Sequence, residues 1–336
     1  MQIKTKKYFL KNGFFDVPQH LQIEITDECP LKCPQCYKTD KEYKYMSWDV
    51  FKDIIDQAVS CGIENIYYNG GEPLIHPQIC DFIEYVNNTG IKQMMFTSGA
   101  GLTREKLDSI YSKNVSVNLS FNGSNNEINS KSRDGFDISL HASKEMRNCG
   151  IKFQINWVAR HDNVYDLNNM IVFGKEIGAS AINIVCNKLT AFGEIVSPLT
   201  YNDYMYIKEM INENEDYLGV QNCYGILLSL LGVPKNKLYG CQAGIRVMAV
   251  TCDGYFMPCT HLYYPEKFQG IMEYWKHSDI LSKLRKIDVL EYCDDCEACR
   301  VCHSISKESH EDFNVGYKEC PVRMYHLEKK ENLSYE

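Results

Sequence analysis

The sequence predicts an α/β protein in which a partial (β/α)6 barrel is followed by a small cysteine-rich domain. Its 336 residues are more than one ordinary domain needs. Between residues 21 and 186, short apolar or β-branched runs alternate with amphipathic segments, as in repeated βα units on a parallel sheet. From Cys241 onward the sequence is turn-rich and punctuated by cysteines, which indicates a core that is inorganic rather than aliphatic.

Six segments have the composition of buried strands. Six βα units are fewer than the eight of a closed barrel, so we expect an open or partial barrel with active-site groups at the carboxyl ends of its strands. The predicted strands are residues 21–25, 63–68, 92–96, 115–121, 152–158 and 181–185.

The clearest helix lies between the first two strands. Ser47 is a good N-cap residue, and apolar side chains from Phe51 to Val59 recur at helical spacing before Gly62. Parallel neighbours need long connections, so further crossover helices are predicted at 103–113, 138–148 and 164–177. Thr200 to Asp203 resembles a capping box that opens a helix to about residue 214, and an apolar helix is predicted near 225–231.

These elements divide the chain into five predicted parts. Asp253-Gly254 is the predicted turn of a hairpin within the cysteine-rich domain. The parts are an N-terminal extension (1–20), the barrel (21–200), a helical linker (201–240), the cysteine-rich domain (241–325) and a charged tail (326–336).

The overall composition excludes several classes of protein. Apolar residues make up 44% and charged residues 24%, as in ordinary globular proteins and unlike disordered or fibrous ones. A net charge of −8 gives no electrostatic footprint for duplex nucleic acid. The longest apolar run, 225–233, is about half of a bilayer span, and the first 15 residues lack the features of a signal peptide. We therefore expect a cytoplasmic protein that binds neither membrane nor nucleic acid.

The 16 cysteines are the most informative feature of the composition, because a reducing compartment disfavours disulfides. Cys29, Cys33 and Cys36 follow the first predicted strand with the spacing C-x3-C-x2-C. Zinc sites favour paired C-x2-C knuckles that supply four ligands, and no fourth Cys or His is nearby. Three thiolates leave one iron of a [4Fe–4S] cluster open to chelate a small molecule.

This spacing after the first strand of a partial barrel resembles the radical S-adenosylmethionine (SAM) superfamily. Asn69 to Pro73 resembles that family's GGE motif, in which Gly70 and Gly71 would let the backbone approach the methionine part of SAM and Glu72 would receive its ammonium group. The aromatic Tyr37, directly after Cys36, matches a residue that lies near the adenine in relatives.

Three later segments agree with the resemblance. Thr97-Ser98-Gly99 resembles the family's TNG turn, with Ser98 in place of Asn. Ser120 to Gly123 resembles its SLDG segment, with Asn122 in place of Asp, and Arg133 matches a downstream Arg. The resemblance implies that Ser120 and Arg133 contact the ribose and carboxylate of SAM. It also places Ser98 and Asn122 among the cofactor-binding residues, although the change from Asp leaves the specific role of Asn122 open.

The cysteines of the last third resemble those of a SPASM domain, which holds two auxiliary [4Fe–4S] clusters as electron conduits and scaffolding. Cys241-x12-Gly254-x4-Cys259 resembles its opening, whereas residue 306 is Ser where the pattern has a Cys. The resemblance implies one cluster at Cys293, Cys296, Cys302 and Cys320, and another at Cys241, Cys252, Cys259 and Cys299. A zinc knuckle or ferredoxin-like site at Cys293, Cys296, Cys299 and Cys302 is the alternative.

The resemblance implies reductive cleavage of SAM to a 5′-deoxyadenosyl radical that abstracts hydrogen from a substrate. We expect a ribosomally made peptide that undergoes thioether or carbon–carbon cross-linking or epimerisation. Sulfatase maturation is disfavoured, because Thr260 and His261 follow Cys259 where those enzymes have a catalytic Asp. Cys186 and Cys223 are candidate hydrogen donors, and His261 is a candidate acid–base group.

Two other functions stay open. One is the radical dehydrogenation of a small molecule such as an aminocyclitol or a sugar alcohol, and the other is a non-catalytic iron–sulfur electron carrier or zinc-binding protein. Only 28 residues precede Cys29, too few for a leader-recognition domain, so we expect a peptide substrate to be recognised by a separate leader-binding protein or by the barrel and SPASM surfaces themselves. A flavodoxin or ferredoxin is the expected electron donor.

Overall fold

The α/β fold class predicted from the sequence is confirmed by a computed structural model of the chain. The structure describes residues 14–38, 44–188, 190, 196–221, 227, 231 and 242–285. In these residues nine strands form one sheet in the order β7-β6-β5-β4-β3-β2-β1-β8-β9. All neighbouring strands are parallel except β8 and β9, which form an antiparallel hairpin. The strands are β1 (His20–Thr26), β2 (Asn65–Gly70), β3 (Lys92–Thr97), β4 (Ser116–Ser120), β5 (Phe153–Val158), β6 (Ile182–Val185), β7 (Leu218–Val220), β8 (Val247–Val250) and β9 (Phe256–Met257).

Helices connect the parallel strands and cover the sheet. Short 3₁₀ turns at Pro73–Ile75 and Val164–Asp166 precede two of them. The helices are α1 (Trp48–Cys61), α2 (Ile79–Thr89), α3 (Arg104–Ser112), α4 (Asn126–Ser130), α5 (Phe136–Asn148), α6 (Leu167–Ile177), α7 (Tyr201–Glu213), α8 (Ile271–His277) and α9 (Asp279–Arg285). None of the helices in the described ranges is long and apolar enough to cross a membrane.

All six predicted strands are present, and each begins and ends within two residues of its predicted bounds. The predicted caps of α1 are also confirmed: the Ser47 side chain accepts a hydrogen bond from the Val50 amide, and Gly62 ends the helix with φ of +74°. Thr200 and Asp203 form the predicted capping box at the start of α7. The helix predicted near 225–231 falls almost entirely outside the described residues.

The sheet extends beyond the six predicted strands. β7 adds to one side next to β6, and β8 pairs in parallel with β1 on the other side, where His20 lies opposite Val247. The predicted hairpin turn at Asp253-Gly254 is confirmed, because it joins β8 to β9 and Gly254 has φ of +81°. The start of the segment that we assigned to the cysteine-rich domain therefore continues the sheet.

Alternating residues of β1 show how the barrel sequence creates a polar interior. Leu21, Ile23 and Ile25 are fully buried and belong to the hydrophobic core. The residues between them are polar, and Gln22 lines a cavity at the carboxyl ends of the strands. Because successive side chains of a strand point to opposite faces, one face of β1 packs on helices and the other faces the site.

Candidate active site

A cavity of about 230 Å³ opens at the carboxyl ends of the parallel strands. Strands β1 to β6 and the loops that follow them contribute its lining, as the topology of a partial barrel predicts. Most of the SAM-related residues predicted from the sequence line it together. They are Cys29, Cys33, Cys36, Tyr37, Gly70, Gly71, Glu72, Ser98, Ser120 and Arg133, with the catalytic candidates Cys186 and His261.

The three cysteines lie on one loop that follows β1. Each is half-buried and outside any disulfide. The Cys36 amide donates to the Cys33 carbonyl at 3.1 Å, so the chain turns between these two thiols. In the described part of the chain, no three Cys, His, Asp or Glu side chains converge as the ligands of one metal ion would. A four-iron cluster takes its protein thiolates on separate irons, and three cysteines on one cavity wall are a donor set that fits it.

Gly70 and Gly71 pack directly against the segment that leads into Cys29. The Gly71 amide donates to the Thr26 carbonyl and the Glu72 amide to the Glu28 carbonyl, each at 2.8 Å. A Cβ on Gly70 would lie 2.1 Å from the Thr26 oxygen, and one on Gly71 would lie 1.9 Å from the Glu28 oxygen. The structure thus explains why glycine is needed at both positions, in a way that the sequence did not predict. A side chain at either one would prevent the backbone contact between the turn after β2 and the cysteine loop.

The Glu72 carboxylate is buried, and protein donors surround it. It accepts hydrogen bonds from the Leu74 amide, the Thr97 hydroxyl, and both the amide and hydroxyl of Ser98. Burial raises the pKa of Glu72, while these hydrogen bonds act in the opposite direction. A carboxylate has about four acceptor positions, so Glu72 in this structure holds the turn after β3 rather than presenting free oxygens to a ligand ammonium.

Arg133 provides the clearest unmet hydrogen-bonding capacity of the cavity. Its Nε atom is buried and has no hydrogen-bond partner among the described residues. A guanidinium binds a carboxylate with paired N–H donors. Ser120, at the end of β4, lines the same cavity. The two residues therefore suit the anionic and hydroxylated parts of a ligand such as SAM.

Asn122 differs from the other predicted residues because it is fully buried and outside the cavity lining. Its Nδ2 donates to Gln35 Oε1 at 2.8 Å and to Ser132 Oγ at 2.7 Å. Its Oδ1 accepts from the Val158 amide at 3.2 Å. The Asn122 side chain therefore contacts protein groups, among them a residue of the cysteine loop. The sequence alone had placed Asn122 among the cofactor-binding residues.

Tyr37 lies against the hairpin that carries Cys259. Its ring centroid is 4.3 Å from that of His261, and its phenol forms a hydrogen bond with Thr260. The Thr260 amide in turn donates to Gln22 Oε1 at 3.0 Å. Burial and then the charge of Lys188 lower the pKa of His261, so its imidazole is neutral at physiological pH.

A buried ion pair lies beside this contact. Lys38 Nζ is 3.0 Å from Glu24 Oε2, and the side chains are 8% and 2% exposed. Burial raises the pKa of Glu24, and Lys38 opposes that shift. Cys252 and Cys259 are buried nearby, and burial followed by the charge of Asp253 raises the pKa of Cys252 to about 11.

Cys186 directly follows β6 on the cavity wall, and its thiol donates a weak hydrogen bond to the Asn187 carbonyl at 3.4 Å. Several polar residues of the cavity were not predicted from the sequence, among them Gln22, Lys38, Asn156 and Gln221. For Gln22 and Asn156 the sequence did contain a signal, because each is a polar residue at an alternate position of an otherwise apolar strand. Seven predicted residues lie outside the described residues: Cys223, Cys241, Cys293, Cys296, Cys299, Cys302 and Cys320.

Comparisons with known proteins agree with this geometry. Residues 23–171 match the sequence profile of the radical SAM superfamily. The PqqA peptide cyclase of Bradyrhizobium diazoefficiens is 24% identical over 177 residues, which are 51% of this chain and 47% of that protein. The chain thus spans about half the length of the peptide cyclases it matches. The AdoMet-dependent heme synthase of Methanosarcina barkeri is 23% identical over 304 residues, 82% of this chain and 87% of that protein.

A solved structure with the same fold is that of Streptococcus suis SuiB bound to its precursor peptide SuiA. It superposes with a TM-score of 0.77 at 16% identity and covers 92% of this chain and 77% of SuiB. At this identity the likeness concerns the fold alone.

Proposed function

We propose that the chain cleaves SAM reductively and takes a hydrogen atom from a peptide, on the premise that residues 23–171 match the family model of the radical SAM superfamily. One observation carries the proposal. Cys29, Cys33 and Cys36 line the same cavity as Arg133, whose buried Nε has no hydrogen-bond partner in the part of the chain that the structure describes. A three-thiolate site beside an unsatisfied guanidinium suits a cluster with one open iron and a ligand with a carboxylate.

The cysteines Cys29, Cys33 and Cys36 would hold the cluster. When bound, it supplies the electron that cleaves SAM to methionine and a 5′-deoxyadenosyl radical. Arg133 would bind the SAM carboxylate, and Ser120 would donate or accept at the ribose. Glu72 keeps Ser98 in place on the cavity wall through two hydrogen bonds to that residue. Leu31 and Phe96 supply apolar surface that excludes water from the reacting groups.

We propose a peptide as the substrate, modified by thioether or carbon–carbon cross-linking or by epimerisation. Relatives named as a cyclase of the PqqA peptide and a SuiB structure with a bound precursor peptide support this class. His261 is our proposed acid–base group because its neutral imidazole lines the cavity. For epimerisation, Cys186 on the cavity wall would return a hydrogen atom, with Cys223 as the alternative donor.

The remaining cysteines are proposed as ligands of two auxiliary clusters in a SPASM-type domain. Cys252 and Cys259 lie on or beside the β8–β9 hairpin, close to Tyr37 and thus to the cysteine loop. Their partners in one cluster would be Cys241 and Cys299. The other cluster would use Cys293, Cys296, Cys302 and Cys320. A flavodoxin or ferredoxin is the proposed electron donor, in the cytoplasm, and a separate leader-binding protein is a proposed partner.

A small-molecule substrate is the second candidate. The similarity to an AdoMet-dependent heme synthase covers 82% of this chain, more than the similarity to the peptide cyclase does. The polar cavity wall, with Gln22, Asn156 and Gln221, also suits a hydroxylated small molecule. Radical dehydrogenation of such a molecule would remove two hydrogen atoms from it.

One experiment distinguishes the two candidate substrate classes. Iron-reconstituted protein is incubated anaerobically in D₂O with SAM, dithionite and synthetic peptides, which are taken from any short open reading frames that flank its gene. Mass spectrometry then shows loss of two hydrogen atoms for a cross-link, or gain of one deuterium for an epimer. An unchanged peptide, together with oxidation of an aminocyclitol or sugar alcohol in a parallel reaction, contradicts the peptide proposal and supports the second.

A further inference from the structure

The cysteine loop is attached to the end of β4 through a residue that the sequence did not mark as important. Gln35 stands between Cys33 and Cys36, and its amide donates to the Ser132 carbonyl at 3.2 Å. Its side-chain carbonyl accepts from Asn122 Nδ2 at 2.8 Å. Residue 35 is therefore held at both its backbone and its side chain by the segment that follows β4.

Asn122 is in turn fixed from several directions. Its amide donates to Asn129 Oδ1 at 2.8 Å, and its carbonyl accepts from Asn163 Nδ2 at 2.9 Å. Its side chain spans from Gln35 to the Val158 amide at the end of β5. It is fully buried, so these hydrogen bonds do not compete with water. A rigid group of this kind transmits the position of β4 and β5 to the loop.

We propose that Asn122 is a positioning residue that acts through Gln35 to hold Cys33 and Cys36 in the arrangement that a cluster needs. Its role is to reduce the freedom of the loop, because cluster ligands must be placed to within about half an ångström by the groups that support them. The link to the cluster rests on the proposed function, whereas the effect on the loop itself does not.

The donor and acceptor chemistry of the pair gives a specific test. In Asn122→Asp, the Gln35 amide can rotate and donate its NH₂ group to the new carboxylate, and the Ser132 hydroxyl can also donate. In Gln35→Glu, the new carboxylate still accepts from Asn122 Nδ2. Only the double variant places two carboxylates against each other, in a part-buried contact where both cannot remain ionised without repulsion.

A matched control is available deeper in the sheet. Asn183 Nδ2 donates to Gln154 Oε1 at 2.8 Å and to Asn118 Oδ1 at 3.0 Å. The double variant Asn183→Asp/Gln154→Glu creates the same collision of carboxylates away from the cysteine loop. It reports the general effect of a part-buried repulsive pair on the fold.

The measurement is hydrogen exchange at residues 33–36 of the full chain, together with iron per chain and the electron paramagnetic resonance (EPR) change on adding SAM. We expect exchange to rise at least about tenfold in the Asn122→Asp/Gln35→Glu variant, with loss of the SAM-dependent EPR change. Both single variants and the control pair should stay within about twofold of wild type at these residues.

Two results would overturn the proposal. One is a double variant whose loop exchanges no faster than in the single variants. The other is a control pair that raises exchange at residues 33–36 equally, which would mean general destabilisation. If wild type bound no iron, the proposed function would fail, yet the exchange comparison would still decide whether Asn122 holds the loop.

Discussion

The substitution Gly71→Ala tests whether the β2 turn sets the position of the cysteine loop. Gly71 is not in the left-handed region, so alanine is compatible with its backbone conformation. The added Cβ would nevertheless lie 1.9 Å from the Glu28 carbonyl oxygen and 2.7 Å from that of Asp27. Close approach of two backbone segments is therefore the reason for glycine at this position.

The magnitude follows from these distances. Real Cβ atoms do not come within 3.0 Å of such an oxygen, so one of the two segments has to move by at least 1.1 Å. The hydrogen bonds from Gly71 to Thr26 and from Glu72 to Glu28, each 2.8 Å long, would stretch or break. Two such bonds contribute about 2 kcal/mol. With about 1–3 kcal/mol of steric strain, we expect a loss of about 3–5 kcal/mol, or a displaced loop.

Because Cys29 directly follows Glu28, the movement reaches the first of the three proposed cluster ligands. The assay is anaerobic reconstitution followed by iron per chain, the SAM-dependent EPR change and urea unfolding. Gly90→Ala is the matched control, since Gly90 has φ of +79° but a Cβ there would meet nothing within 4 Å. It should lower stability by about 1–2 kcal/mol through backbone strain and leave the cluster signals intact.

A Gly71→Ala protein with wild-type stability and wild-type SAM-dependent EPR change would refute this reasoning. Equal loss of the cluster signals in Gly90→Ala would also refute it, because the effect would then be general rather than local.

Three further predictions concern groups around the barrel. Lys38→Met should lower the unfolding free energy in urea by about 3 kcal/mol, because it leaves the buried Glu24 carboxylate unpaired. Adding Glu24→Gln should recover most of the lost stability. A double variant as unstable as Lys38→Met alone would contradict this prediction. Burial and then Arg246 lower the pKa of His20 to about 4, so the unfolded chain takes up a proton first as the pH falls below about 6.5. The contribution of His20 to the free energy of unfolding is therefore present above pH 6.5 and is lost toward pH 4. In urea titrations, the free energy of unfolding should fall by about 1 kcal/mol less between pH 7 and pH 5 in His20→Asn than in wild type. His261→Gln should retain SAM cleavage while lowering peptide product at least about tenfold by mass spectrometry, and equal loss of both would contradict an acid–base role.

Local signals in the sequence predict much of the fold. Ser47 and Gly62 mark both ends of α1 because an N-cap side chain and a left-handed C-cap act within one turn of the helix. Helix α2 was missed although Ile79, Phe82 and Ile83 show helical spacing and are fully buried. That failure is one of interpretation, because the pattern was present.

Other features depend on contacts that no local pattern contains. β8 joins the sheet through pairing of Val247 with His20, which are separated by most of the chain. Most of the SAM-related residues of the cavity were predicted from the resemblance to the radical SAM family, and parallel strands that end at one edge bring them together. The partners of Asn122 and Glu72 could not be predicted, since hydrogen bonds between loops depend on the assembled barrel.

The most direct test of the central claim is SAM cleavage by the reconstituted protein under anaerobic conditions. Wild type and a Cys29/Cys33/Cys36→Ala variant are incubated with SAM, dithionite and the candidate peptide, and 5′-deoxyadenosine is quantified. We expect 5′-deoxyadenosine from wild type and none from the variant. Absence of nucleoside from wild-type protein with its full iron content, or equal amounts from both proteins, would contradict a radical SAM enzyme and favour an electron carrier.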